Sequence, residues 1–393
     1  MFTSKKQKPL SKLVLTTLPL VAVLATGFSA HAAESFKLRQ SPLGSFGGDI
    51  ATPADKPGFF GTASFTQLTI NGIKGADGAE LKQPSGITDV PLTSIAHPAA
   101  VSIGNAYTPT PTVSVGNGQV KLTQDQTQLN VVAGYLTESK YADGRIALVA
   151  NIPIVQQSRF LDLSYPNATF SRTLTPVQDG TLQAIVKGMA AQASSTATGD
   201  ASGIGDTELS AVWVRHTDRL KVAAGISVFA PTGKYDVVRD SKLQANPGYG
   251  NFYTIRPGVA FTYNLNPNYS HQDWDAGVTL AGRIAYGVNT ENKDTKYKSG
   301  NFIYTEAAIV KVMGDSAFGY NLFSTQQITN DTYSGTTAGK VINDRYKTMG
   351  GGPFLSFKFP GQDAGLNFQV NRNFGGRNAI DVTSYQVRLI KAF

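Results

Sequence analysis

Residues Trp274 to Val288 read Trp-Asp-Ala-Gly-Val-Thr-Leu-Ala-Gly-Arg-Ile-Ala-Tyr-Gly-Val, and how they alternate decides the fold. In an extended chain Trp274, Ala276, Val278, Leu280, Ile284, Tyr286 and Val288 share one face. Asp275, Gly277, Thr279, Ala281, Arg283, Ala285 and Gly287 share the other. A period of two specifies a strand. The first face suits hydrocarbon and the second a wet or tightly packed interior. The segment is longer than the roughly 5 to 6 residues usual in soluble strands, and it meets the roughly 9 to 11 residues that a tilted strand needs to cross a bilayer.

The pattern recurs from about Gly203 onward. Between Phe252 and Leu265, Tyr253, Ile255, Val259, Phe261, Tyr263 and Leu265 oppose Thr254, Arg256, Gly258, Ala260, Thr262 and Asn264, with aromatic residues towards the ends as interfacial girdles require. Leu220, Val222, Ala224, Ile226 and Val228 share a face, and Leu366, Phe368 and Val370 oppose Asn367, Gln369 and Asn371. Between Phe302 and Val312 both faces are apolar and Glu306 and Lys311 lie on opposite sides, so the sequence does not assign an inward face there. A soluble β-sandwich also alternates. Segment length, connections that alternate short and long, and a chain ending on the aromatic Phe393 favour an all-β fold, a transmembrane antiparallel β-barrel.

Counting back from Phe393 gives about twelve strands, an even number as bacterial barrels prefer. They are expected near 59–71, 128–138, 143–156, 203–215, 219–230, 250–265, 273–288, 300–313, 317–331, 346–359, 364–375 and 379–393. With Phe393 periplasmic, the inner turns are the short Thr137–Asp143, Arg215–Asp218, Leu265–Gln272, Gly314–Ser316 and Pro360–Asp363. The outer connections are mostly long and rich in Gly, Ser, Asn, Asp and Thr. Between Ser45 and Thr127 only one strand is expected, and Gln178–Ala193 has a weak helical pattern through Leu182, Ile185, Val186 and Met189. Two alternatives stand for these segments: a solvated excursion, or a plug or constricting loop in the lumen.

Residues 1–32 have the form of a signal peptide. Lys5, Lys6, Lys8 and Lys12 precede an apolar run from Leu13 to Phe28, followed by Ser29-Ala30-His31-Ala32-Ala33, a small-x-small cleavage site. The mature chain is expected to start near Ala33, with 33–58 a periplasmic or plug segment and 59–393 the barrel. Removing those four lysines takes Lys plus Arg from 35 to 31 against 27 Asp plus Glu, so the net charge falls from +8 to +4. No basic cluster follows a phosphate backbone, so no nucleic-acid partner is expected. Without cysteine the chain has neither disulfides nor thiolate metal sites.

Three short motifs follow one another. Gly203-Ile204-Gly205-Asp206-Thr207-Glu208-Leu209 opens a strand, Pro231-Thr232-Gly233-Lys234-Tyr235-Asp236 opens a loop, and Gly248-Tyr249-Gly250-Asn251-Phe252-Tyr253-Thr254-Ile255-Arg256-Pro257-Gly258 leads into an aromatic-rich strand containing proline. In order and spacing the chain from about residue 45 to its end resembles the outer-membrane barrel family named for the MetA (meta-cleavage) pathway of phenol degradation. The resemblance implies a porin-like channel associated with catabolism of aromatic or other hydrophobic compounds, with no particular substrate. The last strand, with Tyr385, Val387, Leu389 and Phe393 on one face, also resembles the signal read by the barrel-assembly machinery, although Lys391 departs from it.

An enzymatic barrel would need a nucleophile and base within hydrogen-bond reach. His216 and His271 fall in inner turns and His97, before Pro98, has no obvious partner, so no catalytic, cofactor-binding or metal-binding residue is expected. Gly203-Ile204-Gly205 lacks the strand-to-helix setting of a phosphate loop. Arg256, Arg283, Lys358 and Arg388 against Asp275 are the candidate lumen-lining residues, and rings of Arg and Lys favour anions in pores. The alternative is that they form internal ion pairs filling a closed barrel. The expected partners are outer-membrane lipid, the barrel-assembly machinery and small hydrophobic or aromatic solutes. Passive uptake of such solutes ranks first, ahead of a general narrow porin and of a structural or adhesive barrel acting through its outer loops.

Overall fold

Alternation alone leaves two sheet edges open, and an open edge in lipid would strand backbone N–H and C=O groups without partners. The chain removes both. The computed structural model describes residues 33–34, 38–39, 57–80, 87–241, 244–266, 277–335 and 340–393. Most of the expected signal peptide's successor segment, residues 1–32 themselves, Asp275 and His271 lie outside them.

The wall consists of β1 (Gly58–Lys74), β2 (Gln119–Leu136), β3 (Arg145–Ser164), β4 (Gly199–Ile204 and Thr207–His216), β5 (Leu220–Ala230) and β6 (Thr254–Asn264), then β7 (Val278–Asn289), β8 (Phe302–Met313), β9 (Ser316–Gln327), β10 (Lys347–Lys358), β11 (Ala364–Arg377) and β12 (Ala379–Ala392). Each strand pairs antiparallel with the next in sequence, β2 with β3 included, and β1 pairs with β12, so the sheet closes on itself. The twelve-stranded antiparallel barrel read from the sequence is the observed fold.

Burial follows the pleat. On β7, Leu280, Ile284 and Tyr286 are exposed while Thr279, Ala281, Ala285 and Gly287 are buried. Phe65 on β1, Val131 on β2, Ile226 on β5, Val259 on β6, Ile309 on β8 and Val387 on β12 are likewise large apolar side chains left on the outside. A belt of this extent is what a lipid-facing wall presents. On β8 the inward face is Phe302, Tyr304, Glu306, Ala308 and Val310. Phe302 lies over Gly287 of β7, where a Cβ would collide with its ring. Large rings turned inward over glycines explain why this strand looked apolar on both faces.

Two strands are longer than expected. β2 begins at Gln119 and β3 runs to Ser164. The extra length of β2 carries Gln124, Asp125, Gln126 and Thr127, polar on both faces, so no hydrophobic alternation announces it. The described residues 87–121 and 161–196 cluster as a unit of their own. The expectation of a single strand between Ser45 and Thr127 is corrected by this unit, whose three-stranded sheet includes Ile87–Pro91 and Thr112–Val115. Against it packs helix α1 (Pro98–Asn105), and helix α2 (Pro176–Ala197) buries Leu182, Ile185, Val186 and Met189 in one cluster with Ile87, Val113 and Val115. Thr175 and Gln178 cap α2 reciprocally, Gln178 N–H donating to Thr175 Oγ1 at 3.3 Å and Thr175 N–H to Gln178 Oε1 at 3.1 Å. No described helix is long and apolar enough to cross a membrane.

Candidate functional site

The inward residues of the wall enclose two adjoining cavities. The one towards the Phe393 end has a volume of about 420 Å³. Val132, Leu136, Ala147, Val149, Val212 and Val214, contributed by β2, β3 and β4, give it an apolar side. Arg256, Arg283 and Arg388 bring guanidinium groups from β6, β7 and β12. Arg256 donates to Glu208 Oε1 at 2.7 Å and stacks 4.8 Å from the centre of the Phe229 ring. Arg283 pairs with Glu306, whose other oxygen accepts from Tyr304, and Arg388 donates to Gln386 Oε1 at 2.8 Å. With Lys221, four basic side chains stand on or beside this cavity against the carboxylates of Glu208 and Glu306. Ion pairs fix most of the charge in place, and the excess is positive.

The second cavity, of about 180 Å³, lies towards the opposite end. Asn130, Asn151 and Glu208 line both, so they mark the neck between them. Above it a ladder of amides runs along β2: Gln124 Nε2 donates to Gln126 Oε1 at 3.1 Å, Gln126 to Gln128 at 2.8 Å, and Gln128 to Asn130 Oδ1 at 2.8 Å. Gln157 and Arg159 of β3 donate into the same ladder at 2.9 and 2.7 Å. Each rung satisfies a buried polar group that would otherwise cost about 1–3 kcal/mol, and the side chains hold one another along β2 and against neighbouring β3.

Asp206 closes this end. Gly205 and Asp206 interrupt β4, and the break turns the Asp206 carboxylate inward, 7 % exposed. Its Oδ1 accepts from Gly233 N–H at 3.0 Å, and its Oδ2 accepts from Tyr249 N–H at 3.0 Å and from Arg39 Nε at 2.9 Å. Arg39 also donates to the carbonyls of Gly250, at 2.8 Å, and of Phe252, and lies 3.9 Å from the centre of the Phe252 ring. Burial pulls the Arg39 guanidinium below its usual range and Asp206 pulls it back up. The three motifs that carried the family resemblance therefore meet at one carboxylate. Their glycines have a steric reason: a Cβ on Gly233 would stand 2.7 Å from Asp206 Oδ1 and 2.8 Å from the Gly248 backbone.

Of the lumen-lining residues expected from sequence, Arg256, Arg283 and Arg388 line the larger cavity. Lys358 is exposed at the turn end of β10, where its N–H donates to Asp315 O, so it belongs to the rim and not to the lumen interior. Asp275 lies outside the described residues. His97 is the N-cap of α1, Nδ1 accepting from Ala99 N–H at 3.3 Å, and His216 lines the larger cavity. Glu208, Glu306, Asp206, Arg39 and the amide ladder were not among the lumen candidates read from sequence, although Asp206 and Glu208 stood in a motif and Glu306 was noted on a strand of unassigned face. Glu208 sits at inward parity two residues beyond Asp206, a signal that strand parity alone could have supplied.

A family model, the MetA-pathway of phenol degradation, matches residues 106–389. No curated protein matches the chain in sequence. Among solved structures, an outer-membrane channel from Pseudomonas putida F1 is similar with a TM-score of 0.53 at 14 % identity, over 87 % of this chain and 99 % of that one. The toluene transporter TodX of Pseudomonas putida aligns with a TM-score of 0.34 at 11 % identity, over 92 % of this chain and 95 % of that one. The monoaromatic hydrocarbon channel CymD aligns with a TM-score of 0.35 at 10 % identity, over 90 % and 93 %.

Proposed function

Because the chain belongs to the outer-membrane barrel family named for the MetA pathway of phenol degradation, we propose that it is an outer-membrane channel through which small hydrophobic or aromatic compounds enter by passive diffusion. The observation that carries this reading is the cavity of about 420 Å³ whose valine and leucine side faces Arg256, Arg283 and Arg388. Pockets of a few hundred Å³ with apolar walls and a few placed polar groups suit small organic ligands. An aromatic ring gains by leaving water for such a wall, at roughly 25 cal/mol per Å², and a carboxylate or phenolate on it meets guanidinium groups that favour anions. The neck at Asn130, Asn151 and Glu208 and the amide ladder would make passage narrow and limit it to small solutes.

The same reading places the Phe393 end on the periplasmic side, with the barrel delivered to the membrane through its C-terminal strand. The apolar belt of the wall supports residence in the outer membrane. The experiment is uptake of labelled aromatic acids and hydrocarbons by cells with and without the gene. Uptake should fall on deletion and return on complementation. Unchanged uptake and growth on every such substrate would overturn the proposal.

A further inference from the structure

Sequence and structure single out the same residue, Ala33, for unrelated reasons. In sequence it follows the small-x-small triplet Ala30-His31-Ala32, so cleavage there would make it the first residue of the exported chain. In the structure Ala33 is fully buried, and its backbone nitrogen lies 2.8 Å from Asp331 Oδ2. Asp331 belongs to a small sheet formed by Tyr297–Lys298, Asp331–Tyr333 and Lys340–Ile342, at the end of the barrel remote from Phe393. Its side chain is itself fully buried. It accepts from Gly300 N–H and from Gln327 Nε2, both at 2.5 Å, from the Tyr297 hydroxyl, and from Ala33 N–H. Every one of these donors is neutral.

A carboxylate so placed is out of balance. Removing a charge from water costs several kcal/mol per ion unless a counter-ion and hydrogen bonds offset it. Burial raises the Asp331 carboxyl to about 6 despite its four donors. Ala33 is also out of balance: its φ of 47° puts a non-glycine residue in the left-handed region, where Cβ crowds the backbone carbonyl. Hydrolysis of the Ala32–Ala33 bond by a signal peptidase, with water giving its hydroxyl to the Ala32 carbonyl carbon and a proton to the Ala33 nitrogen, would relieve both. The torsion loses the preceding carbonyl that defines it, and the amide becomes an α-ammonium group, with an ordinary pKa of about 8, already within hydrogen-bond distance of Asp331.

We propose that Ala33 is the amino terminus of the exported protein and that its α-ammonium group is seated on Asp331, making the buried carboxylate a receptor site for the cleaved end of the chain. Neighbouring contacts hold the same segment. Glu34 N–H donates to Ser299 Oγ at 3.0 Å, Asn292 Nδ2 donates to Glu34 Oε2 at 2.9 Å, and Arg39 is fixed on Asp206. Leu38 and Ala33 are buried with Phe302, Tyr304, Phe323 and Tyr346. The seat would tie signal removal to completion of the fold, since only a processed chain carries the cation that Asp331 lacks.

The test uses the full chain exported to the outer membrane, extracted in detergent and shown to be folded by its gel mobility before and after heating. Intact mass should correspond to a chain starting at Ala33. Labelling with an amine reagent selective for α-amino groups near neutral pH should be at least about tenfold slower on the folded protein than on the same protein in urea, because a seated amine reacts only when its segment opens. Asp331→Asn should raise the folded rate severalfold, and Asp125→Asn, which changes a carboxylate in the β2 extension, should not. A start at any other residue, a folded wild-type amine as reactive as the unfolded one, or equal reactivity in wild type and a folded Asp331→Asn would overturn the proposal. If Asp331→Asn does not fold, mass and the wild-type labelling ratio still decide it. None of these readouts involves transport, so their failure is distinct from failure of the channel reading.

Discussion

The two ends of the lumen solve the same problem in opposite ways. Towards Phe393, charged side chains are paired at the wall, Arg256 with Glu208 and Arg283 with Glu306, and the apolar face opposite is left open, giving about 420 Å³. Towards the other end the amides of β2 bond along their own strand and to neighbouring β3, and the Asp206 hub ties Arg39 to two loops, leaving about 180 Å³. Open space thus remains where the charged groups are paired among the wall strands alone. Where residues from outside the wall strands, Arg39, Asn246 and Tyr249, are tied into the lumen, it fills.

The largest effect separating the ends is expected at the hub. Asp206→Ala leaves the buried Arg39 guanidinium without its carboxylate and strips the acceptor from two loop amides, a loss of about 3–5 kcal/mol, read as a lower urea midpoint of the heat-modifiable folded band. Next comes the wall pair: Arg256→Met alone should cost about 3 kcal/mol by leaving Glu208 buried opposite an apolar group. Adding Glu208→Leu should recover most of that loss, since a matched apolar pair carries no stranded charge. If the single and double variants unfold alike, the pairing does not organise this end. Gly233→Ala should cost about 2 kcal/mol through overpacking against Asp206 and Gly248, with the same unfolding measurement. Smallest is Gln126→Ala, which removes the three bonds Gln126 makes with Gln124, Gln128 and Gln157 but lets water reach the freed amides in the widened lumen, a net loss of about 1 kcal/mol; it should enlarge the narrower end, seen as a higher single-channel conductance.

This contrast also explains what could be read from the sequence. β7 and β6 were legible because lipid demands apolar side chains at every second position, and Leu280, Ile284, Val259 and Phe261 supply them. Arg256, Arg283 and Arg388 were legible by the same parity. The start of β2 was not, because Gln124 to Thr127 are polar on both faces and are held by cross-strand and side-chain hydrogen bonds, including Thr69 Oγ1 to Asp125 Oδ1 at 2.9 Å. Nor was the inward face of β8, where Phe302 fills the space above Gly287, as Phe323 of neighbouring β9 does above Gly350. The Asp206 hub joins residues 39, 206, 233 and 249, and no local period connects positions so far apart; its only trace in sequence was the glycines of three motifs.

The most direct measurement of the central proposal is entry of labelled benzoate into proteoliposomes containing the purified, folded chain. Entry is predicted to be faster than into protein-free vesicles of the same lipid and to slow when one of the cavity's three guanidinium groups is removed in Arg388→Gln, while leakage of a large sugar stays unchanged. Entry no faster than into protein-free vesicles would contradict a lumen that passes small aromatic solutes.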